Sequence, residues 1–280
     1  MKYDNKFIMI NSIVLAPVII ISTILHHLFP HVLQVPNVRG PYTYEPFWID
    51  LILIDVFVSF LVILIIYHGY KTHGKYRITC FFFGSIVFTG LEECFWILGG
   101  RFKIIPFQTY FFTRGGLWFF EIPLATCLAW FIIAWSCVYI AEIIFPNHNY
   151  VFHALIAGIL AVSLDLFMDP VMVNLGSISR YPDSKGSWVW LMEPNETFSI
   201  FSIPFYNFLG WFFVIFLFAI IYYFVLNEKK IKNQGKNKSA IIFFGYIPVF
   251  LFICFFLIFL VYLIISPFFV GVDLMPIGSI

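Results

Sequence analysis

Long apolar stretches separated by short polar segments dominate the pattern of this chain. The stretches cover residues 7–29, 47–67, 77–98, 117–145, 151–175, 200–226 and 239–270. A helix needs about 20 apolar residues to cross the hydrocarbon core of a bilayer, and each stretch reaches that length. The pattern therefore predicts an all-α, polytopic bundle of about seven transmembrane helices. No internal repeat or long linker is evident, which favours a single integral membrane domain over residues 1–280.

The amino-acid composition is that of a membrane protein. Apolar residues make up 61% of the chain, aromatic residues 22% and charged residues only 11%, whereas soluble domains carry about 25% charged residues. The net charge of +1 and the lack of a basic block give no sign of nucleic-acid binding. The cysteines all lie in apolar stretches without paired spacing, which favours core positions over disulfides or a metal site.

The distribution of lysine and arginine predicts how the chain is oriented. Ten of these residues lie at the N-terminus and in the loops 68–76, 146–150 and 227–238, or directly beside them, and six lie on the other side. Cytoplasmic loops carry an excess of basic residues. We therefore expect a cell-membrane protein with its N-terminus in the cytoplasm and its C-terminus outside.

Acidic residues inside the apolar stretches are the main indication of function. An ionised acid at membrane depth costs about 2.5–3.5 kcal/mol on insertion scales, so a helix that keeps one usually has a use for it. With a rise of about 1.5 Å per residue, Asp55, Glu92, Glu93, Asp165 and Asp169 are predicted to share the outer half of the membrane.

Other polar and aromatic residues are predicted near that depth. Asn207 and Trp211 lie four residues apart in the sixth stretch, and Glu121 lies near the start of the fourth. A buried polar site is therefore expected in the outer half of the bundle. Helix capping, or pairing with Arg101 or Arg114, remains an alternative role for each single acid.

Four stretches between residues 85 and 225 resemble a family of carotenoid biosynthesis membrane proteins that includes the bisanhydrobacterioruberin hydratases. They are Glu93-(x6)-Gly100 with residues 106–113, Ile122-Pro-Leu124 with Ala129-Trp130, Leu164-Asp-Leu-Phe-Met-Asp-Pro-Val171 with residues 186–190, and Ile203-Pro-Phe-Tyr-Asn-Phe-Leu-Gly-Trp211. The stretches occur in the family's order. Gln108 and Phe112 depart from its pattern, which usually has Gly and often Tyr at these positions.

The resemblance implies addition of water to a terminal isoprenoid double bond of a long polyene, a hydro-lyase type of reaction without cofactor or metal. Protonating such a bond needs a carboxylic acid, and burial favours the neutral form of that group. We expect Asp165 or Asp169 to be this acid. Glu93 is predicted to activate the water, and Asn207 to hold one of the carboxyl groups.

The remaining predicted site residues would contact the substrate. Aromatic faces stabilise a carbocation, and the candidates for this role are Tyr110, Trp130, Trp188, Trp190 and Trp211. The predicted substrate contacts also include Asn207, Glu92, Glu121 and Asp55. Trp188 and Trp190 would equally suit anchors at the membrane interface. The expected partners are a lipophilic polyene or isoprenoid, the bilayer and other enzymes of a carotenoid pathway.

Two other functions remain open at this point. Asp165-x3-Asp169 matches half of the paired motifs with which membrane prenyltransferases hold Mg²⁺ against a diphosphate, and Arg101, Lys103 and Arg114 could bind that diphosphate. Intramembrane acids also serve proton-coupled transporters, and a lipid carrier belongs to the same non-enzyme class. The lack of an inverted repeat speaks against a transporter.

Overall fold

The bundle consists of long helices that match the apolar stretches. A computed structural model describes residues 3–29, 48–105, 109–112, 115–178, 188–190, 198–227, 236–269 and 271–274. These ranges contain seven helices long and apolar enough to cross a membrane. They are α1 (Tyr3–Leu28), α2 (Trp48–His73), α3 (Lys75–Arg101), α4 (Leu124–Ile144), α5 (Tyr150–Ile178), α6 (Phe205–Asn227) and α7 (Lys236–Phe269). The prediction of a polytopic helical bundle is confirmed.

Short strands lie at one end of this bundle, which we call the strand side. They are β1 (Tyr110–Phe112), β2 (Trp118–Phe119), β3 (Ile122–Pro123), β4 (Trp188–Trp190), β5 (Ser199–Ile200), β6 (Ile203–Pro204) and β7 (Asp273–Leu274). β2 pairs with β3 and β5 with β6 as hairpins, β1 pairs antiparallel with β4, and β7 lies parallel to β5. The strands follow α3, α5 and α7, so they gather where these three helices end.

The fourth and sixth apolar stretches begin as hairpins, so the prediction of helix from residues 117 and 200 was wrong there. Both hairpins turn through residues with positive φ: Phe120 at 50°, and Phe201 and Ser202 at 55° and 61°. The helices start only after Pro123 and Pro204. Proline has no N–H to donate but suits a helix start, which accounts for where the two helices begin.

The two hairpins and their helices share a sequence pattern that our inspection of the sequence missed. Residues 118–131 read Trp-Phe-Phe-Glu-Ile-Pro-Leu-Ala-Thr-Cys-Leu-Ala-Trp-Phe, and residues 199–212 read Ser-Ile-Phe-Ser-Ile-Pro-Phe-Tyr-Asn-Phe-Leu-Gly-Trp-Phe. One Phe, the Ile-Pro pair, a Leu and the Trp-Phe pair coincide. Each hairpin also follows a helix and a short strand. The expectation of no internal repeat was therefore wrong: residues 75–144 (unit A) and 150–227 (unit B) repeat one helix–strand–hairpin–helix arrangement.

The two units meet through equivalent positions. β1 of unit A pairs antiparallel with β4 of unit B, with the middle residues of the two strands opposite each other. The rings of Trp130 and Trp211, which are equivalent in the two units, lie 4.2 Å apart between centroids. Self-complementary contacts of this kind are typical of a twofold axis. Because α3 and α5 both run toward the strand side, the pseudo-twofold axis follows their direction, along the membrane normal.

The helices of the two units form the core, and α1 and α2 pack outside them. α1 carries many exposed apolar side chains, which suits contact with lipid. Near the strand side α1 is attached to the first hairpin: the Thr23 hydroxyl accepts a hydrogen bond from the Trp118 backbone at 2.9 Å, and the Ser22 hydroxyl accepts one from Phe120 at 3.0 Å. The Trp118 ring stacks on His26 at 3.9 Å.

Candidate active site

A cavity of about 170 Å³ lies on the strand side between α2, α4 and α5. We call it the pocket. Most of its wall is apolar, and both repeat units contribute to it. Nine of the twelve predicted site residues line it: Asp55, Glu93, Tyr110, Trp130, Asp169, Trp188, Trp190, Asn207 and Trp211. The structure thus brings together residues that are spread over more than half of the chain.

Glu93 of α3 is buried in the pocket wall, and two aromatic donors hold its carboxyl group. The indole N–H of Trp130 donates to Oε1 at 2.8 Å, and the hydroxyl of Tyr110 donates to Oε2. Trp130 comes from α4 and Tyr110 from β1, so three elements of unit A fix the position of one carboxyl group. Such charge-assisted hydrogen bonds are among the stronger ones in proteins.

Asp165 and Asp169 lie one turn apart on the inward face of α5, as their spacing predicts. Both are almost completely buried, with 0% and 2% of their surfaces exposed. The side-chain amide of Asn207 donates to Oδ2 of Asp165 at 2.7 Å and to Oδ2 of Asp169 at 2.8 Å. Asp169 lines the pocket. Asp165 shares the Asn207 amide with Asp169 but does not line the pocket. The predicted contact between Asn207 and an acid is therefore present in the structure, and it involves both acids.

Asp55 of α2 is half-buried at the edge of the pocket and lies against the loop before β2. A Cβ atom on Gly116 would lie 2.5 Å from its Oδ2, so an alanine there would push the Asp55 carboxyl group aside. The carbonyl of Gly116 also accepts a hydrogen bond from Nε2 of His27 at 2.8 Å. α1 and α2 are thus both attached to this loop.

Glu92 and Glu121, like Asp165, lie outside the pocket lining. Glu121 accepts a hydrogen bond from the Arg101 guanidinium at 2.8 Å and lies 3.9 Å from His26, in a structural ion pair on the strand side. Pairing with Arg101 was the alternative, structural role that the sequence left open for each acid in the apolar stretches. Glu92 is buried beside Glu93, where Oε1 accepts a hydrogen bond from Trp96 at 2.6 Å. It lines a second cavity of about 20 Å³, which we call the chamber.

Trp188 and Trp190 line the pocket from β4. β4 pairs with β1 so that Trp190 lies opposite Tyr110 and Trp188 opposite Phe112. The rings of Tyr110 and Trp190 lie 4.7 Å apart. This two-stranded sheet covers the pocket with aromatic side chains, an arrangement that could not be foreseen from strands so distant in the sequence.

Small residues on α4 make room for the pocket, although they are not among the predicted site residues. Ala125 and Ala129 line it one turn apart, with Ile133 a further turn along the same face. Across the pocket lie Met168 and Met172 of α5. The spacing of the two alanines by four residues is the signal that could have identified this face of α4.

These features define a class: a multi-pass membrane protein with a mainly apolar pocket inside its bundle, lined by buried acids and tryptophans. The chain belongs to the carotenoid biosynthesis protein family, whose model matches residues 52–277. No curated protein and no solved structure matches the chain. The family confirms the resemblance noted in the sequence and places the protein in carotenoid biosynthesis, with a lipophilic isoprenoid substrate. The matched region begins in α2, so α1 lies outside it.

Proposed function

We propose that the protein is a hydratase of the hydro-lyase type, which adds water to a terminal double bond of a long polyene. One observation carries the proposal: carboxyl groups from both repeat units, Glu93 and Asp169, line a single apolar pocket in which the rings of Trp130 and Trp211 lie 4.2 Å apart, tilted by 40°. Hydration of an alkene needs an acid that protonates the double bond and a base that takes a proton from the attacking water. It also needs a surface that stabilises the cation formed between protonation and attack.

In the proposed reaction Asp169 supplies the proton. Two adjoining buried carboxylates repel each other, so the pair formed by Asp165 and Asp169 is best accommodated as one carboxylate and one carboxylic acid. The π electrons of the terminal double bond take the proton at the CH carbon, which leaves a tertiary cation at the neighbouring carbon. The indole faces of Trp130 and Trp211 stabilise that cation.

Water then completes the addition. Its oxygen lone pair forms a C–O bond to the tertiary carbon, and one of its protons passes to the carboxylate of Glu93. The product is a tertiary alcohol that contains all the atoms of the alkene and of one water molecule. Return of the proton from Glu93 to Asp169, which line the same pocket, restores the starting state without a cofactor.

The size and position of the pocket suit one end of a polyene within the bilayer. Pockets that enclose drug-sized ligands measure about 300–1,000 Å³, whereas this one has about 170 Å³. Its edge between α2 and α5 carries Ile54, which is 41% exposed, and the half-buried Met168. A substrate dissolved in lipid can enter there by one end and leave the rest of its chain in the membrane.

Binding of a diphosphate, which a prenyltransferase requires, has less support. Among the described residues that line the pocket there is no lysine or arginine. Arg101, one of the predicted cations, is paired with Glu121. The two aspartates that would hold Mg²⁺ each accept a hydrogen bond from the Asn207 amide through Oδ2.

Expression in cells that make lycopene, an acyclic polyene with two terminal isopropylidene groups, tests the proposal. We expect pigments heavier by one water, formed in the presence of a chelator, and none from cells that carry the empty vector. Mass spectrometry of the extracted pigments provides the measurement. Gain of an isoprenoid unit, with sensitivity to the chelator, would instead show a prenyltransferase.

A further inference from the structure

The chamber has the size and polarity of a site for a single water molecule. Its volume is about 20 Å³, and one water needs about 10–15 Å³ when measured in this way, together with two to four polar partners. Glu92, Glu93, Tyr206 and Asn207 provide polar groups in its wall. The indole N–H of Trp190, which also lines it, is buried without a hydrogen-bond partner among the described residues.

The internal repeat relates the chamber to the pocket. Tyr206, Asn207 and Gly210 of unit B line the chamber. Three equivalent residues of unit A, at positions 125, 126 and 129, line the pocket. The two cavities are therefore pseudo-equivalent halves of one site. Alanine at the position equivalent to Tyr206 leaves room for an isoprenoid end in the pocket, whereas the tyrosine ring leaves room only for water in the chamber.

We propose that the chamber holds the water that captures the cation, and that Glu93 takes the proton from it. Glu93 lies in the walls of both cavities, together with Trp130, Asn207 and Trp211, so a water in the chamber adjoins the pocket there. In this step the water oxygen forms the C–O bond, one O–H bond breaks and the proton passes to the Glu93 carboxylate. The proposal rests on the hydration reaction proposed above.

Gly210→Ala tests the chamber directly. The added Cβ would have Ile258 Cδ1, at 4.0 Å, as its nearest neighbour, so the methyl group fits. Because Gly210 lines the chamber, we expect the methyl group to reduce the space there. Gly245→Ala is the matched control, because Gly245 is exposed on α7 and its added Cβ would have nothing within 4 Å. Both substitutions replace a helical glycine by alanine and should stabilise the helix to a similar extent.

The assay uses membranes with lycopene in D₂O, analysed by mass spectrometry. Protonation of the alkene by a deuterated acid places one deuterium on carbon. If water captures the cation, that deuterium appears in the alcohol. If capture fails, the cation loses a proton, and the deuterium appears in recovered or isomerised alkene. We expect Gly210→Ala to lower the ratio of alcohol to deuterated alkene about tenfold or more, because the bound water is displaced, whereas Gly245→Ala should retain the wild-type ratio.

A second variant keeps the test decisive if Gly210→Ala does not fold. Glu92→Gln preserves the shape of the side chain and the acceptor for Trp96, but removes a carboxyl group from the chamber wall, and we expect it to shift the ratio in the same direction. Alcohol formation by both variants at the wild-type ratio would overturn the chamber proposal. So would equal loss of alcohol and deuterated alkene in a stably folded variant. A wild-type protein that forms neither product would instead overturn the proposed hydration.

Discussion

At the residue scale, the two donors on Glu93 determine how its carboxyl group faces the pocket. Trp130→Phe removes the N–H that donates to Oε1 at 2.8 Å but keeps an aromatic ring. A hydrogen bond to a charged group contributes about 1.5–3 kcal/mol, so we expect the rate of alcohol formation to fall about tenfold or more. Trp211→Phe is the matched control, since its ring lies 4.2 Å from that of Trp130 in the same pocket. Equal losses in the two variants would show that the rings, and not the hydrogen bond, are what matters.

Replacement of Asp169 by Asn should abolish turnover and leave the fold intact. The amide has the shape of the carboxyl group and can still accept a hydrogen bond from Asn207, but it cannot deliver a proton to an alkene. Alcohol formation and the melting temperature in detergent measure the two effects separately. If Asp169→Asn retained near wild-type activity, the assignment of the acid would be wrong, and loss of turnover in Asp165→Asn alone would move the role to Asp165.

Glu121 should behave differently from the pocket acids, because it forms an ion pair with Arg101 outside the pocket. We expect Glu121→Gln to lower thermal stability and to retain alcohol formation within about twofold, since breaking a partly buried pair affects the folded state and not the pocket. The melting temperature and the initial rate are the measurements. Loss of activity without loss of stability would place Glu121 in the site after all.

At the scale of single elements, α4 determines the capacity of the pocket. Ala129→Leu would extend a side chain into the space that Ala125 and Ala129 leave free. We expect it to reduce turnover of long polyenes strongly without loss of folding, because the side chain occupies the substrate's place. Ser163→Leu on the exposed face of α5 is the control for added apolar bulk. The initial rate with each variant is the measurement, and an undiminished rate for Ala129→Leu would exclude this pocket as the substrate site.

The helices and the depth of the acids could be predicted from the sequence, but the strands could not. Apolar length predicts a membrane span, and the rise per residue places Glu93 and Asp169 at related depths. The segments before α4 and α6 are as apolar as the helices, and only Pro123 and Pro204 mark the change. The pairing of β1 with β4, and of Glu121 with Arg101, depends on how distant segments fold back, which no local pattern reports.

The internal repeat is too short and too divergent to be evident before the hairpins are known. Its copies share turns, an Ile-Pro pair and a Trp-Phe pair, but three of the positions that face the cavities differ. Alanine, threonine and alanine in unit A correspond to Tyr206, Asn207 and Gly210 in unit B. Different residues at these positions are expected if the two halves of one site have different roles.

At the scale of the whole molecule, the orientation in the membrane remains a prediction. Lys75 and Lys103 are both exposed and lie at opposite ends of α3. The excess of basic residues places Lys75 in the cytoplasm and Lys103 outside. Cysteines introduced singly at these positions should react with an impermeant reagent in intact cells only at position 103. Labelling of position 75 alone would reverse the orientation, and labelling of both would contradict the bundle itself.

The small volume of the pocket determines the order of events for a substrate with two reactive ends. A pocket of about 170 Å³ with the exposed Ile54 and the half-buried Met168 at its edge would accept one end while the rest of the polyene stays in lipid. To bring the other end to the same acids, the molecule must dissociate, reverse its direction within the leaflet or cross to another copy of the enzyme. We therefore expect the proposed hydration to be distributive: with excess substrate, singly hydrated polyene should accumulate first, and the doubly hydrated product should follow only as unreacted substrate is exhausted.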